Sequence, residues 1–257
     1  METLKVNGLI IREVSVGDSD KLITVLTDTV GKITVSCKGV RNIKSKRIAA
    51  SQLFSYGELM LSVRAGRYYL SDAMVENSFF ELNTSLEKLS LAQYFCQVVS
   101  CVTVENEDQR DILSLILNSL YVLCHTNKEP DFVKAVFEMR LCALVGFCPD
   151  LSACQGCGFD FSTIEKGAYL DIGDGCILCS DCLLSDGQND SLVPLDRHIL
   201  DAIRYIVNAP PKKIFSFAFS DDQKSAGELS DVTEKYLRYH LDRGFETLDF
   251  YHSIIGL

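Results

Sequence analysis

The sequence predicts an α+β protein of more than one domain, with a five-stranded barrel in front, a helical domain behind it, and a four-cysteine metal module inserted in the helical part. Three observations predict this. Short β-type runs bounded by turn residues fill the first eighty positions. From about Phe80 the apolar residues recur at three- and four-residue intervals. Five of the eleven cysteines fall between Cys154 and Cys182. The expected boundaries are residues 1–80 for the barrel and 81–257 for the helical domain, interrupted by the module at about 151–189.

Residues 8–14, 21–27, 32–38, 57–63 and 67–75 read as strands. The third carries the clearest signal: Ile33, Val35 and Cys37 alternate with Lys32, Thr34, Ser36 and Lys38, so one face enters a core while the other shows lysines to water. Before it, Asp28-Thr29-Val30-Gly31 is a short polar connection with a glycine available for positive φ. Residues 86–104, 109–123 and 132–147 read as helices. In the last, Phe132, Val136, Met139, Ala143 and Phe147 form an apolar stripe, ended by Gly146 and Pro149. Helical signals return at about 196–207 and 229–243, so the cysteine-rich insert interrupts one helical domain. Residues 184–194 and 220–230, rich in Ser, Asp and Gly, read as loops.

With 257 residues, 47% hydrophobic and 23% charged, the chain can bury a sizeable core in two or three compact units. Its most apolar stretch, residues 112–124, is broken by Ser114, Asn118 and Ser119 and is shorter than the roughly 20 residues needed to span a bilayer. The first residues lack the basic cap and apolar run of a secretory signal, and the expected compartment is the cytoplasm. A net charge of −10 argues against a nucleic-acid partner. The charge is segregated, however. Residues 1–80 hold eleven Lys/Arg against eight Asp/Glu, a balance of +3, leaving fourteen against twenty-seven, or −13, for the remainder.

Cys37, Cys96, Cys101, Cys124, Cys142 and Cys148 are scattered among apolar neighbours and read as small core residues. The other five form a cluster that metal explains better than disulfides in a reducing compartment. Cys154-Gln155-Gly156-Cys157-Gly158 is a knuckle that can turn two thiolates onto one ion. The second pair is either Cys176 with Cys179 or Cys179 with Cys182; the latter is preferred, because Gly175 and Cys176 suit a turn and Ile177-Leu178 a short strand feeding the knuckle. Twenty-one residues then separate the pairs, a zinc-ribbon type of spacing. Four sulfur ligands suit one Zn²⁺ ion in a closed, structural shell.

Lys38, Arg41, Lys44, Lys46 and Arg47 put five cations in ten residues with no carboxylate among them. With Lys32, Arg64 and Arg67 they give a barrel the ingredients of a nucleic-acid surface. Phe54, Tyr56, Tyr68 and Tyr69 are aromatic candidates for stacking, with barrel core the preferred reading for Phe54 and Tyr56. Nothing nominates a catalytic set. His125, His198, His240 and His252 are dispersed, and no phosphate-binding glycine loop occurs, so the expectation is a protein that is not an enzyme.

Taken in order, these features resemble the RecO family of bacterial recombination mediators. Gly8-Leu9-Ile10-Ile11-Arg12, Asp18 to Leu22, Leu26-Thr27 with Gly31-Lys32, and Lys38-Gly39-Val40-Arg41 are similar to that family's oligonucleotide-binding (OB-fold) barrel. Phe137 to Leu141, Gly146-Phe147-Cys148-Pro149 and Cys154 to Gly158 resemble its helical domain entering its zinc module, and Glu234 to Leu237 through Phe245 to Phe250 resemble its last helix and tail. One departure is Cys176, where the family more often has glycine. The resemblance implies a cytoplasmic, nucleoid-associated protein that binds single- and double-stranded DNA and anneals complementary strands. It implies RecR as a partner in loading RecA onto DNA coated by the single-strand binding protein SSB. It also implies Lys38 and Arg41 as phosphate contacts, with Lys44, Lys46 and Arg47 extending the patch, and Cys154, Cys157, Cys179 and Cys182 as zinc ligands. The competing readings are a zinc-stabilised protein-interaction scaffold without direct DNA binding and, more remotely, a sequence-specific regulator.

Overall fold

Alternating apolar residues at the front of the chain close on themselves. In the computed structural model, which describes residues 2–42, 45, 47–161, 167–186, 191–219 and 222–256, five strands form a closed barrel: β1 (Glu2–Val16), β2 (Asp20–Thr27), β3 (Lys32–Cys37), β4 (Tyr56–Arg64) and β5 (Arg67–Asn77), in the order β1-β2-β3-β5-β4. The inward positions Val6, Ile10, Ile23, Val25, Ile33, Val35, Leu59, Leu61 and Leu70 fill it. The first strand serves two neighbours, pairing with β2 from Gly8 to Val16 and with β4 from Glu2 to Leu9. The parallel pairing of β3 with β5 at Val35↔Tyr68 and Ser36↔Tyr69 completes the ring. This is OB-fold topology.

β1 begins at Glu2, not near residue 8 as the local pattern suggests. Glu2, Thr3 and Lys5 are exposed and carry little hydrophobic signal; what makes them strand is their ladder with β4, which is not a local property.

The β2–β3 connection shows why Gly31 is a glycine. Its φ is +71°, and a Cβ there would stand 2.1 Å from the Val104 carbonyl oxygen. Around it Lys32 N donates to Val104 O at 2.9 Å and Asn106 N to Val30 O at 3.0 Å, so the hairpin is laced to the segment that follows the first helix. Gly31→Ala is expected to destabilise the protein by about 1–3 kcal/mol through overpacking and a disfavoured backbone. A urea midpoint unchanged from the parent would contradict this account of the junction.

After the barrel in sequence come α1 (Leu86–Val102), α2 (Arg110–His125), α3 (Pro130–Leu144), α4 (Ser180–Asp186), α5 (Arg197–Asn208), α6 (Asp222–Leu241) and α7 (Glu246–Ile255). Two compact units emerge: residues 1–126 with 245–257, and residues 127–244. The first joins the barrel to α1, α2 and α7. Ser85 caps α1 by accepting from Lys88 N at 3.3 Å, and Tyr94 of α1 meets Phe245 edge-on, with ring centroids 5.6 Å apart.

In the second unit α3 starts on Pro130, whose fixed φ suits a first turn. Every residue from Phe132 to Met139 is buried, Lys134 and Glu138 among them. The helix stops at Leu144, and Phe147, assigned to its stripe from the sequence, is 37% exposed and stacks on His240 at 4.7 Å. The expected loop at 220–230 is largely helix: α6 begins at Asp222, and the buried Ala226 and Leu229 hold it despite Gly227. The loop expected at 184–194 is likewise corrected at both ends, by α4 before it and by a strand, Leu192–Leu195, after it. Among the described residues no helix is long and apolar enough to cross a membrane.

Candidate metal centre and nucleic-acid interface

The cysteine-rich stretch folds as a four-stranded sheet of β6 (Asp150–Cys154), β7 (Ala168–Asp171), β8 (Cys176–Cys179) and β9 (Leu192–Leu195), in the order β6-β8-β7-β9. The last strand tolerates Pro194 because it lies at the sheet edge. Cys154 ends β6, and the chain turns back there through Gly158 N to Cys154 O at 2.8 Å and Cys154 N to Phe159 O at 2.9 Å. Gly158 has φ +71°. Gly156 leaves room for the opposite pair, since a Cβ on it would meet Cys182 Sγ at 2.9 Å.

Four thiol sulfurs result, those of Cys154, Cys157, Cys179 and Cys182, all within 4.8 Å of one another. Zinc–sulfur bonds of about 2.3 Å in tetrahedral geometry imply sulfurs about 3.8 Å apart, and Cys157 Sγ and Cys179 Sγ are 3.7 Å apart. The cluster can hold a metal ion and fits zinc. Burial raises the Cys154 thiol pKa, but backbone N–H donors from Cys179, Cys157 and Gly156 more than offset it and bring the pKa down to about 6. Hydrogen bonds to Cys157 and Cys179, with burial, push Cys182 up to about 12.

Cys176 stands apart from this cluster. It opens β8 opposite Asp150 of β6 and Asp171 of β7, and burial followed by the Asp171 and Asp174 charges raises its thiol pKa. Of the six cysteines read as core, Cys37, Cys96 and Cys142 are buried. Cys101 and Cys124 are only partly so, and Cys148, beyond the end of α3, is exposed; for it the core reading is corrected.

On the barrel, the segment after β3 is tied to the β1–β2 turn. Arg41 N donates to Ser19 O and Arg41 Nη1 to Gly17 O, both at 2.9 Å. Gly39 N donates to Asp20 Oδ1 at 2.8 Å; that hydrogen bond, then one from Ser19, holds the Asp20 carboxyl below its ordinary pKa. The β4–β5 hairpin turns on Ala65 and Gly66, both at positive φ, which sets Arg64 directly across from Arg67. Like charges facing each other destabilise a hairpin tip unless an anion joins them. Lys38 Nζ and Arg64 Cζ each lie 5.8 Å from the centroid of the Tyr69 ring.

The remaining cations of the sequence reading differ in surroundings. Arg47 donates to Leu70 O at 2.6 Å and to Lys38 O at 3.2 Å, fastening the basic segment to β5. Lys32 is half-buried and its ammonium donates to the Ser100 carbonyl of α1. Lys44 and Lys46 lie outside the described residues. Among the described residues, the barrel lysines paired with carboxylates are Lys5, to Glu58 at 2.7 Å, and Lys21, to Glu13 at 2.8 Å. Of the aromatics, Phe54 is buried and Tyr68 packs against the barrel core.

One feature of the second unit has no counterpart in the sequence reading. A groove of about 590 Å³ is lined by His198, Tyr205, Phe217, Phe219, Lys224 and Glu228, and at its rim His198 Nε2 is 3.4 Å from Glu228 Oε2. The alternation of Phe215, Phe217 and Phe219 is the signal that could have found it.

The family model described as Recombination protein O N terminal matches residues 1–79, and that described as Recombination protein O C terminal matches residues 83–249. Similar relatives include the "DNA repair protein RecO" of Acetivibrio thermocellus, 33% identical over 99% of this chain and 98% of its own length. That of Caldicellulosiruptor bescii is 28% identical over 99% of this chain and 100% of its own length. Both the match across the two halves and the end-to-end identity lead to the same conclusion: the chain belongs to the recombination protein O (RecO) family.

Proposed function

We propose that the protein is a DNA repair and recombination mediator that binds single- and double-stranded DNA through its barrel, anneals complementary strands and, with RecR, loads RecA onto SSB-coated single strands. The observation that carries the reading is the placement of Lys38 and Arg64 at the Tyr69 ring, with Arg67 directly across from Arg64, on a closed barrel in a chain whose net charge is −10. Cations concentrated against an acidic background give a polyanion one place to bind and one orientation. Lys44 and Lys46, outside the described residues, belong to the same cationic run of the sequence, while Arg47 and Lys32 are anchored to backbone carbonyls as described above. The names of the relatives, DNA repair proteins, support the same reading.

In this reading Cys154, Cys157, Cys179 and Cys182 hold one structural zinc. A shell of four thiolates leaves no position for water, so the ion stabilises the sheet rather than performing chemistry.

Strand annealing is the test. The protein should accelerate pairing of complementary oligonucleotides at low salt. Combining Lys38→Glu, Arg41→Glu, Arg64→Glu and Arg67→Glu should abolish that activity and lower the slope of log affinity against log salt by up to about 3 for single strands, at roughly 0.7 per lost phosphate contact. An unchanged slope would clear these four residues. Intact binding to RecR with no binding to DNA by the parent protein would replace this reading by the interaction scaffold.

A further inference from the structure

Strand register aligns a row of outward side chains across the barrel. Paired residues of neighbouring strands share a face, and the pairs Val14↔Leu22, Leu22↔Ser36, Ser36↔Tyr69 and Tyr69↔Ser62 place these five residues side by side. Ile23, Val35, Cys37, Leu61 and Leu70, the sequence neighbours of Leu22, Ser36, Ser62 and Tyr69, are core residues, so these four face away from the core, although Ser62 is only 7% exposed. Val14 is 42% exposed and Leu22 38%.

Tyr69 stands in this row with a serine on each side. Ser71 follows it on the same face of β5 and donates to Ser62 Oγ at 3.1 Å, keeping that neighbour low. Beyond the serines come the two cations already described, Lys38 from the end of β3 and Arg64 from the end of β4, each 5.8 Å from the ring centroid. The result is an aromatic ring among small residues, continued on one side by exposed Leu22 and Val14 and flanked by positive charge. An unpaired base needs a flat apolar surface for its ring and a cation within reach of its phosphate. In a duplex the bases are already stacked on one another, so a duplex can use the cations but not the shelf.

We propose that Tyr69, continued by Leu22 and Val14, is a base-stacking shelf that makes the barrel selective for single-stranded over duplex nucleic acid. This inference rests on the barrel being the DNA-binding surface, and its test separates the two.

The sequence contains no tryptophan, so Tyr69→Trp introduces a sole indole reporter. Its emission should be quenched by an oligo-dT strand and far less by a duplex of equal length. Tyr69→Ala should weaken oligo-dT binding about tenfold or more while leaving duplex affinity and the salt slope as in the parent, and Tyr69→Phe should restore single-strand binding. Bound oligo-dT, seen by anisotropy, without quenching of Tyr69→Trp would overturn the shelf and leave the DNA-binding reading intact. Equal weakening of single-strand and duplex binding by Tyr69→Ala would overturn it too. If the parent protein binds neither nucleic acid, the underlying reading fails and the shelf with it.

Discussion

Cys179→Ser is expected to reduce bound zinc from one equivalent per chain to near zero and to melt the β6–β9 sheet, whereas Cys176→Ser leaves both intact. The difference follows from geometry. Cys179 Sγ is one of four mutually close sulfurs, and its backbone N–H also donates to Cys154 Sγ at 3.2 Å; Cys176 is spent in the strand. Binding of a structural zinc is worth about 10–16 kcal/mol of folding free energy in small modules, far more than a sheet of four short strands can replace from its own core. Metal content by atomic absorption, read beside protease sensitivity of residues 150–195, checks the pair. Equal metal loss from both variants would put Cys176 in the ligand set and undo the assignment.

Lys134→Met should cost about 3–5 kcal/mol in a urea melt. The Lys134 ammonium contacts Glu138 Oε1 at 3.2 Å and Glu234 Oε2 at 2.8 Å and donates to Ser230 Oγ at 3.0 Å, while Thr233 donates to Glu138 at 2.7 Å. Lys134 and Glu138 have side chains 1% and 0% exposed. Removing the cation therefore strands a carboxylate where water cannot reach it. Adding Glu138→Leu to Lys134→Met should recover much of the loss, because apolar replacement of a whole buried pair is often neutral. Failure to recover would locate the cost in packing instead. Burial pushes the Lys134 amine pKa down, but Glu138 and Glu234 more than offset this and hold it above the ordinary value of 10.5. A folded value above the unfolded one means that this contribution is complete below about pH 10 and is withdrawn as the amine deprotonates in alkali. The parent should show that alkaline loss and the double variant should lack it.

How much of this was legible beforehand depends on whether each signal is local. Ile33, Val35 and Cys37 announced a buried strand face, and all three are at most 1% exposed. The paired knuckles announced a cluster of four thiols that can hold a metal ion, and strand alternation in β8 puts Cys176 and Cys179 on opposite faces, so that Cys179 joins the cluster and Cys176 does not. Residues 2–7, by contrast, are strand only through β4, and residues 222–230 are helix in an α6 that packs on α3 and buries Ala226 and Leu229, whereas their polar composition pointed to a loop. The role of Arg47 in fastening the basic segment to the Leu70 carbonyl was equally invisible, since a cation run reads the same whether its guanidinium faces water or the backbone. The alignment of Leu22, Ser36 and Tyr69 depends on register across three strands, which no single segment encodes.

The last helix belongs to the first compact unit, although 118 residues of another unit, 127–244, intervene in the sequence. A ribosome therefore releases the barrel and α1 long before Phe245 and α7, which cover Tyr94, are synthesised. The inserted unit is fully synthesised first, and the front of the protein must wait, with part of its apolar surface uncovered, for residues 245–257. A message truncated near residue 244 would thus spare the half that carries the four-cysteine cluster and leave the barrel's half unfinished.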